Sequence, residues 1–122
     1  MENSVGIDFV EVKRIKSSLD RFGEHFLKRI FTGEEVKYCQ SKKKPEISLA
    51  ARFAAKEATM KALGTGWSSR VKWTDIKVKN NEKGAPLVEL QGKAKELLQN
   101  RKIALSLSHT EEYAVAVVNI FE

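Results

Sequence analysis

Four polar features of this sequence could do chemistry together: Asp8, the pair Glu57 and Lys61, His109, and Thr65 set between two glycines. Two carboxylates, a lysine and basic side chains suit a magnesium–phosphate site. Magnesium takes one or two protein carboxylates, keeps several waters and binds substrate phosphate oxygens. A lysine then supplies a point charge to a second phosphate oxygen. Each feature alone has an ordinary explanation. Glu57 and Lys61, four residues apart, would form a solvated ion pair worth roughly 0.2–0.5 kcal/mol. Asp8, near the end of a strand, is placed to cap the helix that follows. A lone histidine is more often structural than catalytic. Ser108 beside His109 makes no triad, because adjacent strand residues point to opposite faces. The chain also lacks a glycine-rich P-loop motif, which argues against an ordinary nucleotidase.

The element that must position these groups is residues 52–66, RFAAKEATMKALGTG. It reads as one helix, beginning near Ser48 after the break at Pro45 and stopping at Gly64, with Gly64, Thr65 and Gly66 as cap and loop. Ala51, Ala55, Ala58 and Ala62 recur at helical spacing, and their stripe of methyl groups lets another backbone approach closely. Arg52 and Glu57, five residues apart, point roughly 140° away from each other. They can hardly serve one small ligand from one helix.

Residues 4–10 read as a strand with Val5, Ile7 and Phe9 on one side and Gly6, Asp8 and Val10 on the other. Residues 11–22 follow as a helix with an apolar stripe of Val12, Ile15 and Leu19, and with Arg14 and Arg21 on a common basic face. A short helix spans residues 24–30. Thr32 caps a third, with Glu35 completing a capping box. Residues 73–79 alternate as a strand, 80–84 turn, and 86–90 return, making a hairpin. A helix over 92–100 and two strands, 103–107 and 113–121, complete the chain, with SHTEE as the turn between them. The order predicts one domain over residues 1–122, α+β, with helices packed on a mainly antiparallel sheet.

Composition narrows the setting. A hydrophobic share of 42% with 31% charged residues is ordinary for a soluble domain. No apolar run has membrane-span length and the first residues lack a signal-peptide plan. Cys39 is the single cysteine, so neither an internal disulfide nor a cysteine-based zinc site is expected. These features predict a cytoplasmic protein without a membrane partner. The net charge of +6 attracts phosphates, nucleic acid or acidic proteins without choosing among them. The excess lies largely in the first helices and at Lys42, Lys43 and Lys44.

The GID of residues 6–8, RFAAKEA..KA.GTG of 52–66, the G.P turn of 84–86 and LSHT..YA.A.V of 107–117 resemble the holo-[acyl-carrier-protein] synthase family, the short bacterial type of phosphopantetheinyl transferase. The likeness runs in order over nearly the whole chain. It implies transfer of phosphopantetheine from coenzyme A (CoA) to a serine of acyl carrier protein, releasing adenosine 3',5'-bisphosphate, a step of fatty acid biosynthesis. It also implies Mg²⁺ and a homotrimer with active sites at subunit interfaces. Under this resemblance Asp8 and Glu57 hold the metal, and Lys61 and His109 contact phosphates, with Glu57, Lys61 and His109 as the catalytic set. Lys43, Lys44 and Arg52 face the nucleotide end, and Gly64, Thr65, Pro86 and Thr110 line the CoA site. Arg14 and Arg21 meet the acidic carrier protein. Asp8, Glu57 and Lys61 of one subunit would meet Arg52 and His109 of its neighbour. Glu57, Asp8, His109 and a water of the metal all stand as acceptors for the serine proton. Longer relatives often carry a second acid beside the first; here Phe9 follows Asp8, as suits the short type.

Two other readings compete. A basic RNA-binding module explains the charge but not Asp8 and Glu57, and it would need clustered exposed aromatics that the chain lacks. No nucleic-acid partner is expected. A catalytically dead carrier-protein binder would have lost Asp8, Glu57 or Lys61, and all three are present.

Overall fold

The computed structural model describes residues 2–65 and 70–122. Strand β1 (Ser4–Glu11) leads into helices α1 (Val12–Phe22), α2 (Glu24–Ile30), α3 (Gly33–Gln40) and the long α4 (Pro45–Leu63). A 3₁₀ turn (Trp73–Asp75) precedes the hairpin β2 (Ile76–Asn80) and β3 (Pro86–Leu90). Helix α5 (Gly92–Leu98) and strands β4 (Lys102–His109) and β5 (Tyr113–Phe121) follow. The strands form two antiparallel sheets, one ordered β1-β5-β4 and the other β2-β3. The α+β expectation holds.

Helix α4 lies across the larger sheet, and its alanines explain how. Ala51, Ala55, Ala58 and Ala62 are all buried, together with Ala50 and Ala54. At Gly6 of β1 the backbones nearly touch: a Cβ added there would lie 2.0 Å from the Ala58 carbonyl oxygen and 2.8 Å from the Ala62 nitrogen. Only glycine permits this approach. It fixes which face of β1 points inward, so Gly6, Asp8 and Val10 are buried. The apolar face of the strand points outward instead, leaving Val5, Ile7 and Phe9 66%, 57% and 62% exposed. Tyr113 and Val117 of β5 extend this apolar surface, with Tyr113 stacked on Phe9.

Helix α5 ends at Leu98, two residues before the sequence reading, and three other boundary differences have clear causes. Pro45 starts α4 rather than breaking the chain before it, since a first-turn proline surrenders no helical hydrogen bond. Residues 73–75 form a 3₁₀ turn, and strand pairing begins at Ile76. There the Lys72 amide donates to the Asp75 carboxylate at 3.0 Å, which holds the turn. His109 belongs to β4, paired with Ala114, and the turn is confined to residues 110–112. The capping box of α3 is present, with Thr32 and Glu35 exchanging hydrogen bonds.

Glu35 also does something the sequence did not disclose. Its carboxylate meets Lys56 of α4 at 2.7 Å, and both side chains are essentially fully buried. The Lys56 ammonium donates further to the carbonyls of Ile30 (2.9 Å) and Trp73 (3.1 Å). Glu35 accepts from the amides of Thr32 and Val78. This saturated pair ties α2, α3, the 3₁₀ turn and β2 to the helix that carries Glu57.

Candidate active site

Because β1 turns its Gly6–Asp8–Val10 face toward α4, the Asp8 carboxylate is held beneath the helix. It caps nothing: β1 continues to Glu11, which occupies the N-cap position of α1 without a side-chain capping bond. One Asp8 oxygen, Oδ1, accepts from Lys61 Nζ at 3.0 Å, and the same ammonium donates to the Ile7 carbonyl at 2.9 Å. Lys61 thus pairs with Asp8, not with Glu57 one turn earlier on its own helix. The other oxygen, Oδ2, is buried and receives no donor from the protein's amides, hydroxyls or cations.

Glu57 stands against this carboxyl. Burial, then the charge of Asp8 and a shared carboxyl hydrogen bond with it, hold Glu57 above the usual carboxylate range; Lys61 and Arg14 pull it partway back. Two close, partly buried carboxylates repel unless a proton or a cation stands between them. A buried oxygen without a donor and a destabilised partner acid therefore fit a hard divalent cation. Among the described residues no group of three or more His, Cys, Asp or Glu could hold a metal. The protein offers a carboxylate pair, which suits magnesium's preference for one or two carboxylates plus waters and phosphate oxygens.

A cavity of about 120 Å³ opens beside the pair, lined by Asp8, Glu57, Arg14, Ser18, Phe26 and Phe53 among others. Arg14 therefore belongs to the carboxylate cleft as well as to the basic face of α1. Arg21, exposed one helical stretch further on, lies over the Phe22 ring at 5.5 Å.

Arg52 lies on another face of α4, as its spacing from Glu57 predicts. Its guanidinium stacks 4.2 Å from the Tyr38 ring centre and donates to Asn80 Oδ1 at 2.8 Å, with Nε buried and unpartnered. Lys42 covers the same ring at 4.6 Å. The basic residue that joins Arg52 is thus Lys42; Lys44 is paired with Glu111 at 3.0 Å, and Lys43 is exposed. Tyr38 and Asn80 gave no sequence signal, because their role depends on a contact between α3, α4 and β2.

Gly64 ends α4 in the left-handed conformation (φ 74°), and the buried Thr65 hydroxyl donates to the Met60 carbonyl. Gly66 lies outside the described residues. Pro86 opens β3 opposite Asn80. The Thr110 hydroxyl accepts from the amides of Glu112 and Tyr113, shaping the turn. His109 is exposed at the end of β4, two strands from β1. Strand spacing and register put its Cα on the order of 12 Å from that of Asp8. Within one chain it does not join the carboxylates. Cys39 is no nucleophile: burial pushes its thiol up to about 11.

Comparison with known proteins gives the family and the fold. Residues 4–118 match the 4'-phosphopantetheinyl transferase superfamily. The holo-[acyl-carrier-protein] synthase of Koribacter versatilis is 52% identical over 116 residues, covering 93% of each chain. That of Protochlamydia amoebophila is 40% identical with 95% of each covered. Among solved structures, the Helicobacter pylori synthase in complex with coenzyme A superposes with a TM-score of 0.84 at 35% identity, covering 95% of this chain and 98% of that one. The Neisseria meningitidis synthase gives 0.86 at 36% identity, with 98% of each covered. With residues 4–118 matched by the family and at least 93% of the chain covered by these relatives and structures, the chain belongs to the holo-[acyl-carrier-protein] synthase family of 4'-phosphopantetheinyl transferases.

Proposed function

We propose that Asp8 and Glu57 form the metal-binding half of a site that transfers phosphopantetheine from CoA to a serine of apo acyl carrier protein. The observation that carries this reading is the buried Asp8 Oδ2, which no amide, hydroxyl or cation reaches, beside a destabilised Glu57, with Lys61 one helical turn away. The serine hydroxyl forms a bond to the β-phosphorus of CoA as the bond from that phosphorus to the bridging oxygen breaks. Adenosine 3',5'-bisphosphate leaves with that oxygen. Mg²⁺, when held by the two carboxylates, supplies positive charge to the pyrophosphate oxygens. Lys61, 56% exposed at its side chain, is free to swing toward a phosphate oxygen and neutralise charge that develops during transfer. The carboxyl pair and His109 are the acceptors this site offers for the serine proton.

The carrier docks on α1, where Arg14 leads into the carboxylate cleft and Arg21 extends the basic face. Arg52, set apart from Glu57 on α4, serves the nucleotide end, with Lys43 and Lys44 beyond it. The site is completed across a subunit interface in a homotrimer, where His109 comes from a neighbour. Supporting this is the exposed apolar face of Val5, Ile7, Phe9, Tyr113 and Val117, the kind of patch that marks an interaction surface. The enzyme works in the cytoplasm; no helix among the described residues is long and apolar enough to cross a membrane. The test is the intact mass of an apo carrier protein incubated with this enzyme, CoA and Mg²⁺. A gain of one phosphopantetheine, lost with EDTA and in Glu57→Gln, is the expected result. No gain on several apo carriers would reject the reading.

A further inference from the structure

The ammonium that would serve a phosphate is already engaged. Lys61 Nζ holds Asp8 Oδ1 at 3.0 Å and the Ile7 carbonyl at 2.9 Å, while no amide, hydroxyl or cation donates to Asp8 Oδ2. The two partners differ in freedom: the Asp8 side chain is 10% exposed and Lys61 is 56% exposed. Asp8 is fixed on its strand beneath α4, whereas the lysine stem can leave without disturbing the core. Arg14 of α1 is the cation that lines the cavity beside the two carboxylates.

We propose that Lys61 couples metal binding to CoA binding, acting as an internal counter-cation of Asp8 until a pyrophosphate draws it away. This rests on the carboxylate metal site proposed above. In the free protein the ammonium offsets one of the two carboxylates, so an arriving divalent cation meets a weaker field and a like charge beside it. A pyrophosphate changes both terms. Its oxygens take the Lys61 hydrogen bonds, which releases Asp8, and they add their own negative charge to the cation's surroundings. Metal and CoA then strengthen each other's binding, and by linkage the factor is the same in both directions. The device keeps the free enzyme loosely metallated and assembles the charged site only around substrate. Lys61 is a positioning residue here in addition to its role toward phosphate.

Mn²⁺ serves as the probe, since its free form is counted directly by electron paramagnetic resonance. Affinity is measured on the intact enzyme with and without CoA, in the absence of carrier protein so that no turnover occurs. The parent should bind Mn²⁺ about tenfold more tightly with CoA. Lys61→Met should bind it about tenfold more tightly than the parent without CoA, and gain less than about threefold when CoA is added. Lys61→Arg, which keeps a cation over Asp8, should stay near the parent without CoA. If Lys61→Met binds Mn²⁺ no better than the parent in the free state, or keeps the full CoA gain, the coupling role is overturned. Asp8→Asn separates the two layers of the argument, because it should lose Mn²⁺ under both conditions. Undiminished binding there would reject the metal site itself, and the coupling with it. Circular dichroism confirms the fold of each variant.

Discussion

Replacing Lys56 by methionine should destabilise the protein by about 3–4 kcal/mol, although the residue touches no part of the carboxylate site. Lys56 is 0% exposed, and its ammonium makes three hydrogen bonds: to Glu35 and to the carbonyls of Ile30 and Trp73. Methionine fills the stem's volume but leaves the buried Glu35 without its cation and strips a donor from two carbonyls. Breaking a buried pair by removing one partner costs about 3–5 kcal/mol. The lower part of that range applies here, because Glu35 keeps the Thr32 and Val78 amides. A folded domain has roughly 5–15 kcal/mol in total, so the loss is a large fraction. Urea unfolding at one fixed protein concentration measures it. Glu35→Gln should also destabilise, and the double variant should be less unstable than the sum of the singles by at least about 1 kcal/mol. A pH signature accompanies the pair. Burial holds Lys56 below its ordinary 10.5, outweighing the attraction of Glu35. The unfolded chain therefore binds the proton more tightly, and this group makes stability rise with pH as the folded value is passed on the way to 10.5. That contribution should vanish in Lys56→Met. A methionine variant within about 1 kcal/mol of the parent would refute the reasoning.

Three further outcomes are expected. Gly6→Ala should cost about 3 kcal/mol in urea unfolding, since the new Cβ meets the Ala58 carbonyl on a helix that cannot step aside; a neutral substitution would contradict the close approach of β1 and α4. In metal-free buffer at neutral pH, Glu57→Gln should melt above the parent, because Glu57 is held above its ordinary 4.5 and the folded state loses stability as pH rises through the raised value. The gain should disappear below 4.5, where glutamic acid is neutral in both states, and Mg²⁺ should narrow it at neutral pH; a variant less stable than the parent at neutral pH would contradict this. Arg21→Glu, chosen because Arg21 lies outside the carboxylate cleft, should raise the KM for carrier protein several-fold while leaving that for CoA alone, with the effect shrinking in high salt; equal changes in both would reject carrier steering.

What the sequence made legible follows the range of the interactions involved. Helix α4 and its alanine stripe are local features, read from spacing alone, and so are the capping box at Thr32 and the opposed directions of Arg52 and Glu57. The alternation in β1 separated its two faces but carried no instruction about which faces inward. Apolar content favours burying Val5, Ile7 and Phe9, yet the buried side carries Gly6 and Asp8, because α4 can approach only over a glycine. Asp8 consequently reads as a strand-end cap until the strand is seen to run on to Glu11. Lys56 looks like one more exposed lysine in a helix, and Glu35 looks fully explained by capping. Their pairing depends on how α3 meets α4, a long-range contact that no local pattern encodes. The same holds for Tyr38, Lys42 and Asn80 around Arg52. His109 reads as part of a turn because SHTEE is polar, whereas the strand continues through it on pairing with Ala114.

The central claim is that the carboxylate half-site of one subunit is completed by His109 of another. It is tested most directly by mixing two inactive proteins, Asp8→Ala and His109→Ala, each first shown to be trimeric. They are unfolded together, refolded as mixed trimers and assayed for phosphopantetheine transfer to apo carrier protein. Random assortment places an intact Asp8 opposite an intact His109 at about a quarter of the interfaces, so activity should return to about a quarter of the parent's. Mixed trimers that remain as inactive as either starting variant would show that each site is built within one chain.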